Sequence, residues 1–271
     1  MTPDGTAYDI FGPQHAAVVV LIHGLGMTRT TWDDIAPALA QTFRVITYDL
    51  CGHGQSRLPA QPPSLTVLSK QLENLLDGLA VPTAVLVGFS LGGMINRRFA
   101  MYHPDRVRAL VVLNSPHKHD PEAQRLVEER AIQTSAEGPK ATIDATLERW
   151  FTPDFRKNSP SKVAQIRAWV LANDANTYLQ HRQVLAHCVH ELIQPDPALS
   201  AACLVMACAK DSGSTPAMSE AIAAEITGAE TVIVPELQHL GLIEQPRIFL
   251  AKIGDFLTRK ITLSGIKDKE K

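Results

Sequence analysis

Gly88-Phe89-Ser90-Leu91-Gly92, with Gly93 behind it, stands between an apolar run, Thr83–Phe89, and a helical pattern that runs from Ser90 to His103 and stops at Pro104. A G-x-S-x-G pentapeptide alone is a weak signal. Between a buried strand and a helix it acquires a physical meaning. The serine sits on a sharp turn with its hydroxyl exposed. Glycines two residues to either side let neighbouring backbones approach where a Cβ would clash. The helix N-terminus directs N–H groups at any negative charge that forms nearby. The competing reading is a glycine-rich turn with a capping serine.

The surroundings of this junction predict the fold. Ala16–Ile22, Phe43–Asp49, Thr83–Phe89 and Val107–Leu113 are short apolar runs rich in β-branched residues. Between the second and third, Leu68, Leu72, Leu75, Leu76 and Leu79 recur at helical spacing. Continuous apolar strands separated by helices imply an α/β fold, a mostly parallel sheet sandwiched by helices. From about Pro116 to Ser200 no buried strand is evident, and helices are expected at roughly 121–136, 139–150, 160–172 and 176–191. Strands return at Cys203–Ala207 and Thr231–Pro235, with helices at about 216–226 and 247–259. The expected organisation is a core of residues 1–115 and 201–263, an inserted helical cap of 116–200 and a mobile tail of 264–271, with mobility setting in after Arg259.

Composition narrows the function. A net charge of -2 offers no footprint for nucleic acid or an anionic membrane. The longest apolar stretch, Ala201–Ala209, falls far short of the roughly 18–20 residues that span a bilayer. Met1-Thr2-Pro3-Asp4-Gly5 has no basic segment leading into an apolar one, so a cytoplasmic location is expected. The partner these features imply is a small-molecule substrate, and the oligomeric state stays open. Cys51, Cys188, Cys203 and Cys208 form no C-x-x-C pair and are expected as free thiols.

A serine nucleophile needs a base, an acid and donors for an oxyanion. His239, in Glu236-Leu237-Gln238-His239-Leu240-Gly241, follows the last apolar run, where open α/β sheets place their sites. Asp211 follows the preceding run, and a carboxylate there fixes the tautomer of His239 and stabilises its imidazolium. Asp196 and Glu236 are the alternative acids. His23-Gly24-Leu25-Gly26 follows the first run, so the N–H groups of Leu25 and Leu91 together make a candidate oxyanion hole. His23 is expected to brace its loop, and Asp49 to Ser56, with His53, reads as a tight structural turn. His117-Lys118-His119-Asp120 resembles part of a metal signature, but Pro121 stands at its fifth position and no further ligand cluster follows. Neither metal nor cofactor is expected. The order Ser90, Asp211, His239 belongs to one fold and differs from the chymotrypsin and subtilisin orders.

Together, HGLG (His23–Gly26), DLCGHGQS (Asp49–Ser56), GFSLGG (Gly88–Gly93), HPDRV (His103–Val107), Asp211 and QHLGLIEQP (Gln238–Pro246) resemble the α/β-hydrolase superfamily over about residues 6–115 and 201–259. The resemblance implies Ser90, His239 and Asp211 as a triad and residues 116–200 as a lid. Two departures stand out: Cys208 where glycine is usual three residues before the acid, and one extra residue between Asp211 and Thr215-Pro216. Within the cap, Arg149-Trp150-Phe151-Thr152-Pro153-Asp154-Phe155 resembles a segment of 3-oxoadipate enol-lactonases, and Asn176-Thr177-Tyr178 falls where those enzymes carry Gly-Tyr. This implies a serine hydrolase of a small carboxylic ester or lactone. Trp150 and Phe151 would then wall the substrate pocket, and Arg149, Arg167 and Arg182 would pair with a substrate carboxylate. Other triad chemistries, namely C–C bond hydrolysis, amidase or perhydrolase activity, and a small-molecule receptor of the same fold are the competing readings.

Overall fold

The computed structural model describes residues 1–262. The tail expected at 264–271 lies outside the described residues. Seven strands, β1 (Tyr8–Phe11), β2 (Val18–Ile22), β3 (Arg44–Tyr48), β4 (Ala84–Phe89), β5 (Val107–Leu113), β6 (Ala202–Cys208) and β7 (Glu230–Val234), form one sheet. Its order is β1-β3-β2-β4-β5-β6-β7, and all pairs are parallel except β1 with β3. Six strands are the apolar runs of the sequence. β1 is an addition: a four-residue edge strand, only half-buried, carries no apolar run to read.

Helices α1 (Ala36–Leu39), α2 (Leu65–Gly78) and α3 (Leu91–Tyr102) lie among the first strands. Ser64 caps α2 by accepting from the Val67 N–H at 3.1 Å, and Leu65, Leu68, Leu72, Leu75 and Leu76 form its buried stripe. Between β5 and β6 come α4 (Pro121–Glu137), α5 (Ile143–Trp150), α6 (Pro153–Asn158), α7 (Pro160–Leu171) and α8 (Ala175–His187). The chain closes with α9 (Pro216–Ala224), α10 (Gly241–Glu244) and α11 (Pro246–Leu257).

Of the boundaries that differ from the sequence reading, three have a clear local cause. Gly138, at φ 67, ends α4, and a 3-10 turn over Gly138–Ala141 delays the next helix to Ile143. Thr152-Pro153 opens α6, with Thr152 Oγ1 accepting from Phe155 N at 3.2 Å; proline at a first helical position starts a helix rather than only breaking one. A helical turn continues through Thr258–Thr262 and buries Ile261, so ordered chain extends past Arg259.

The parallel strands bring their carboxyl ends to one edge. There lie His23 to Leu25 after β2, Ser90 after β4, Asn114 after β5, Asp211 after β6 and His239 after β7. The inserted helices pack on this edge. A Cβ on Gly26 would meet the Tyr178 ring at 3.0 Å and Val170 at 3.2 Å.

Candidate active site

Ser90 has φ 54 and ψ -113, a conformation side-chain-bearing residues rarely hold. Its surroundings enforce it. A Cβ on Gly88 would lie 2.2 Å from the Gly92 carbonyl oxygen, and one on Gly92 2.2 Å from that of Ile22. Ser90 N donates to Leu113 O at 2.8 Å, and Ser115 Oγ donates to Ser90 O at 2.9 Å. Arg97, fully buried, holds Ser115 in turn through Nη2 at 3.2 Å.

Asp211 receives four donors. Oδ2 accepts from His239 Nδ1 at 2.7 Å and Asn114 Nδ2 at 2.8 Å; Oδ1 accepts from Gly213 N at 2.8 Å and Ser214 N at 3.0 Å. Burial pushes its pKa up, but the His239 imidazole and these donors outweigh it and hold the carboxyl below the usual range. Nδ1 of His239 thus carries the proton that faces Asp211, which leaves Nε2 as the acceptor. Of the alternative acids, Glu236 is exposed and paired with Lys210 at 2.5 Å, and Asp196 is exposed as well. Asn114, at φ 44, is a residue the sequence reading passed over, and its Oδ1 lies 3.7 Å from Cys208 Sγ. The cysteine at the usual glycine position therefore supports the residue that supports the acid. All four cysteines are free thiols, and burial raises each pKa, to about 11 for Cys188 and about 12 for the other three. None is a thiolate nucleophile near neutral pH.

Leu91 N opens α3, where N–H groups lack intrahelical partners, and Leu25 N lies between two glycines. Among the described residues neither donates a hydrogen bond. Their loop is braced by two histidines. His23 Nε2 accepts from Leu50 N at 2.9 Å and its Nδ1 donates to Gly24 O at 2.8 Å; His53 Nε2 accepts from Gly26 N at 3.0 Å. Both rings are buried and consumed by the fold. The turn after β3 is structural as well: Asp49 accepts from Gln55 N at 2.8 Å and pairs with Arg29 at 2.5 Å.

Ser90, His239 and Asp211 line one cavity, which the inserted helices close. Arg149, Trp150 and Arg182 line it too, and the Trp150 ring lies 6.0 Å from that of His239. Phe151 does not: it is fully buried and stacks on Phe155 at 5.1 Å, because the last turn of α5 points it away from its neighbour. Arg167 does not either; on the solvent side of α7 it pairs with Asp144. Arg130 and His119 join the wall. Arg130, Arg149 and Arg182 form no carboxylate ion pair among the described residues. Burial, then repulsion from Arg130 and Arg182, pushes Arg149 down to about 10. His117 pairs with Glu225 at 3.1 Å, away from His119.

Residues 17–246 match the model of the alpha/beta hydrolase fold family. The chain belongs to that family. It is 29% identical over 243 residues to 3-oxoadipate enol-lactonase 2 of Acinetobacter baylyi, covering 89% of each. The solved enol-lactonase of Burkholderia xenovorans LB400 superposes with a TM-score of 0.85 at 30% identity, covering 93% of this chain and 96% of that one. A thermophilic esterase of Thermogutta terrifontis, solved with malate bound, gives 0.83 at 26% identity over 94% and 93%. As a member of this family the protein is a hydrolase, and its described helices include none long and apolar enough to cross a membrane.

The hydrolase's cavity wall contains a signal that sequence reading missed. Val127 and Arg130 on α4, Thr146 and Arg149 on α5, and Arg182 and Leu185 on α8 each face the cavity as a pair three residues apart. On a helix that spacing is one face. Arg130 was legible only as part of such a pair.

Proposed function

We propose that this hydrolase cleaves a small carboxylic ester or lactone bearing a carboxylate, through an acyl-enzyme on Ser90. His239 Nε2 takes the proton of Ser90 Oγ as the oxygen attacks the carbonyl carbon. Asp211 stabilises the imidazolium, and the N–H groups of Leu25 and Leu91 hold the oxyanion. The alkoxide leaves with the proton from His239. Water, deprotonated by the same nitrogen, then attacks the acyl carbon and frees Ser90 and the acid. Neither metal nor cofactor has a step to perform. Helices α4–α8 serve as the cap, and Arg149, Arg182 and Arg130 hold the substrate carboxylate.

The observation that carries this reading is the 2.7 Å hydrogen bond from His239 to a fully satisfied Asp211, in a cavity that Ser90 also lines. The similarity to enol-lactonases supports the ester or lactone bond, and three guanidinium groups without carboxylate partners among the described residues support the anion. The test is active-site labelling followed by a substrate panel. A small uncharged fluorophosphonate labels Ser90 once per chain. Ser90→Ala leaves the fold intact and lowers kcat by about 10⁴-fold or more, because the triad acts as a unit. The panel sets short esters and lactones, charged and uncharged, against ring-fission diketones. Label on another residue removes the nucleophile assignment, cleavage of diketones alone favours C–C hydrolysis, and ligand binding without turnover favours a receptor.

A further inference from the structure

The carboxyl end of α5 brings Arg149 and Trp150 to the cavity, and a helix end leaves its last carbonyls without intrahelical donors. Here the donors come from the loop that carries His239. Gln238 Nε2 donates to the carbonyls of Glu148 at 3.1 Å and Arg149 at 3.3 Å, and Leu240 N donates to Trp150 O at 2.9 Å. One turn further on, Glu244 accepts from Thr152 on both oxygens: Thr152 N at 2.8 Å on Oε1 and Thr152 Oγ1 at 2.6 Å on Oε2. Thr152 is also the cap of α6. Residues on both sides of His239 therefore grip the backbone on both sides of Arg149-Trp150.

We propose that Glu244 is a positioning residue that fixes Arg149 and Trp150 against His239. The glutamate of the Gln238–Pro246 motif has no part in the triad chemistry. Its carboxylate makes the only charge-assisted contacts in this set of bonds, and such bonds are shorter and about twice as strong as neutral ones. It thereby sets the distance between the base and the group that holds the substrate anion. The inference rests on the reading of His239 as base and Arg149 as anion partner, and it predicts substrate discrimination rather than bond-making. A glutamate that served only the fold would lower stability and affect every substrate alike.

The experiment uses Glu244→Gln, Glu244→Ala, Thr152→Val and, as the conservative control, Thr152→Ser. With a carboxylated ester, Glu244→Ala raises KM by about tenfold or more, the scale of losing hydrogen bonds to a charged group, while kcat stays within about twofold. KM for the matched uncharged ester changes less, Thr152→Ser behaves as wild type, and the fluorophosphonate still labels Ser90 at the parental rate. Hydrogen exchange supplies a readout independent of substrate: the amides of residues 150–152 exchange faster in Glu244→Ala and Thr152→Val, while those of β4 and β5 do not. Equal KM changes for both esters, or unaltered exchange at 150–152, overturn the proposal. If wild-type Ser90 resists the phosphonate, the proposed function fails on that result, and the exchange comparison still decides whether Glu244 holds the segment. Should Glu244→Ala not fold, Glu244→Gln and Thr152→Val carry the same comparison with smaller loss.

Discussion

On the sheet side of the cavity, Ser90 and Asp211 are pinned through backbone. Ser90 is locked by glycines whose added Cβ would strike carbonyl oxygens at 2.2 Å, and Asp211 by two N–H groups and an amide. On the helical side, the lining groups are long side chains on separate helices, and Arg130, Arg149 and Arg182 reach the cavity without a carboxylate to hold them among the described residues. The first side has one geometry and one chemistry. The second can change its ligand by changing a few side chains without touching the sheet. Under the proposed function the difference makes bond-breaking and substrate choice separable in this molecule, and three measurements press on that separation.

The largest effect belongs to the sheet side. Asp211→Asn removes the charge that orients and stabilises the His239 imidazolium, and kcat falls by about 10⁴-fold with little change in KM. The loss is the same for charged and uncharged substrates. Steady-state kinetics on both checks this; a near-parental rate shows that another carboxylate supplies the acid.

A middle-sized effect belongs to the arginines. Arg149→Met or Arg182→Met raises KM for a carboxylated substrate by about 10–100-fold, the span of one or two charge-assisted hydrogen bonds, and leaves the uncharged ester nearly unaffected. A uniform fall in kcat for both substrates joins the two sides into one unit and breaks the comparison.

The smallest effect lies where the two sides meet. The buried rings of His53 and His181 stand edge to face at 4.7 Å, and His53 faces His23 at 5.4 Å. Burial lowers the pKa of all three, that of His181 to about 4. The unfolded chain therefore binds protons below about pH 6.5 that the folded chain refuses, so stability is full above that pH and declines as pH falls toward 4. The His181 share of this loss is about 1–2 kcal/mol between pH 6.5 and 5. His181→Leu flattens this slope in thermal unfolding whatever its effect on the plateau, and parallel slopes show that His181 is protonated in the fold.

The same contrast explains what was legible in the sequence. Ser90, His239 and Asp211 each sit at the end of an apolar run, and a turn between strand and helix writes itself into consecutive residues. Six strands were readable because burial on both faces demands unbroken apolar runs; β1, half-exposed at the edge, demands none. The cap residues were harder because a helix repeats its faces every few residues, and only packing decides which one meets the cavity. Trp150 and Arg149 fell on that face, Phe151 turned into the core, and Arg167 turned to Asp144. Asn114 escaped because its role, a bond to Asp211 97 residues away, leaves no local trace.

The backbone of Ser90 carries a longer consequence. A side-chain-bearing residue at φ 54 and ψ -113 costs about 1–3 kcal/mol relative to glycine, in a class of molecules whose whole stability is about 5–15 kcal/mol. Under mutation with selection for stability alone, glycine is the favoured occupant of this position. Under the proposed function, a serine there is kept for its hydroxyl against the preference of the fold. A lineage that lost the need for the hydroxyl would be expected to lose the serine first, while the glycines around it, which the sheet itself requires, remained.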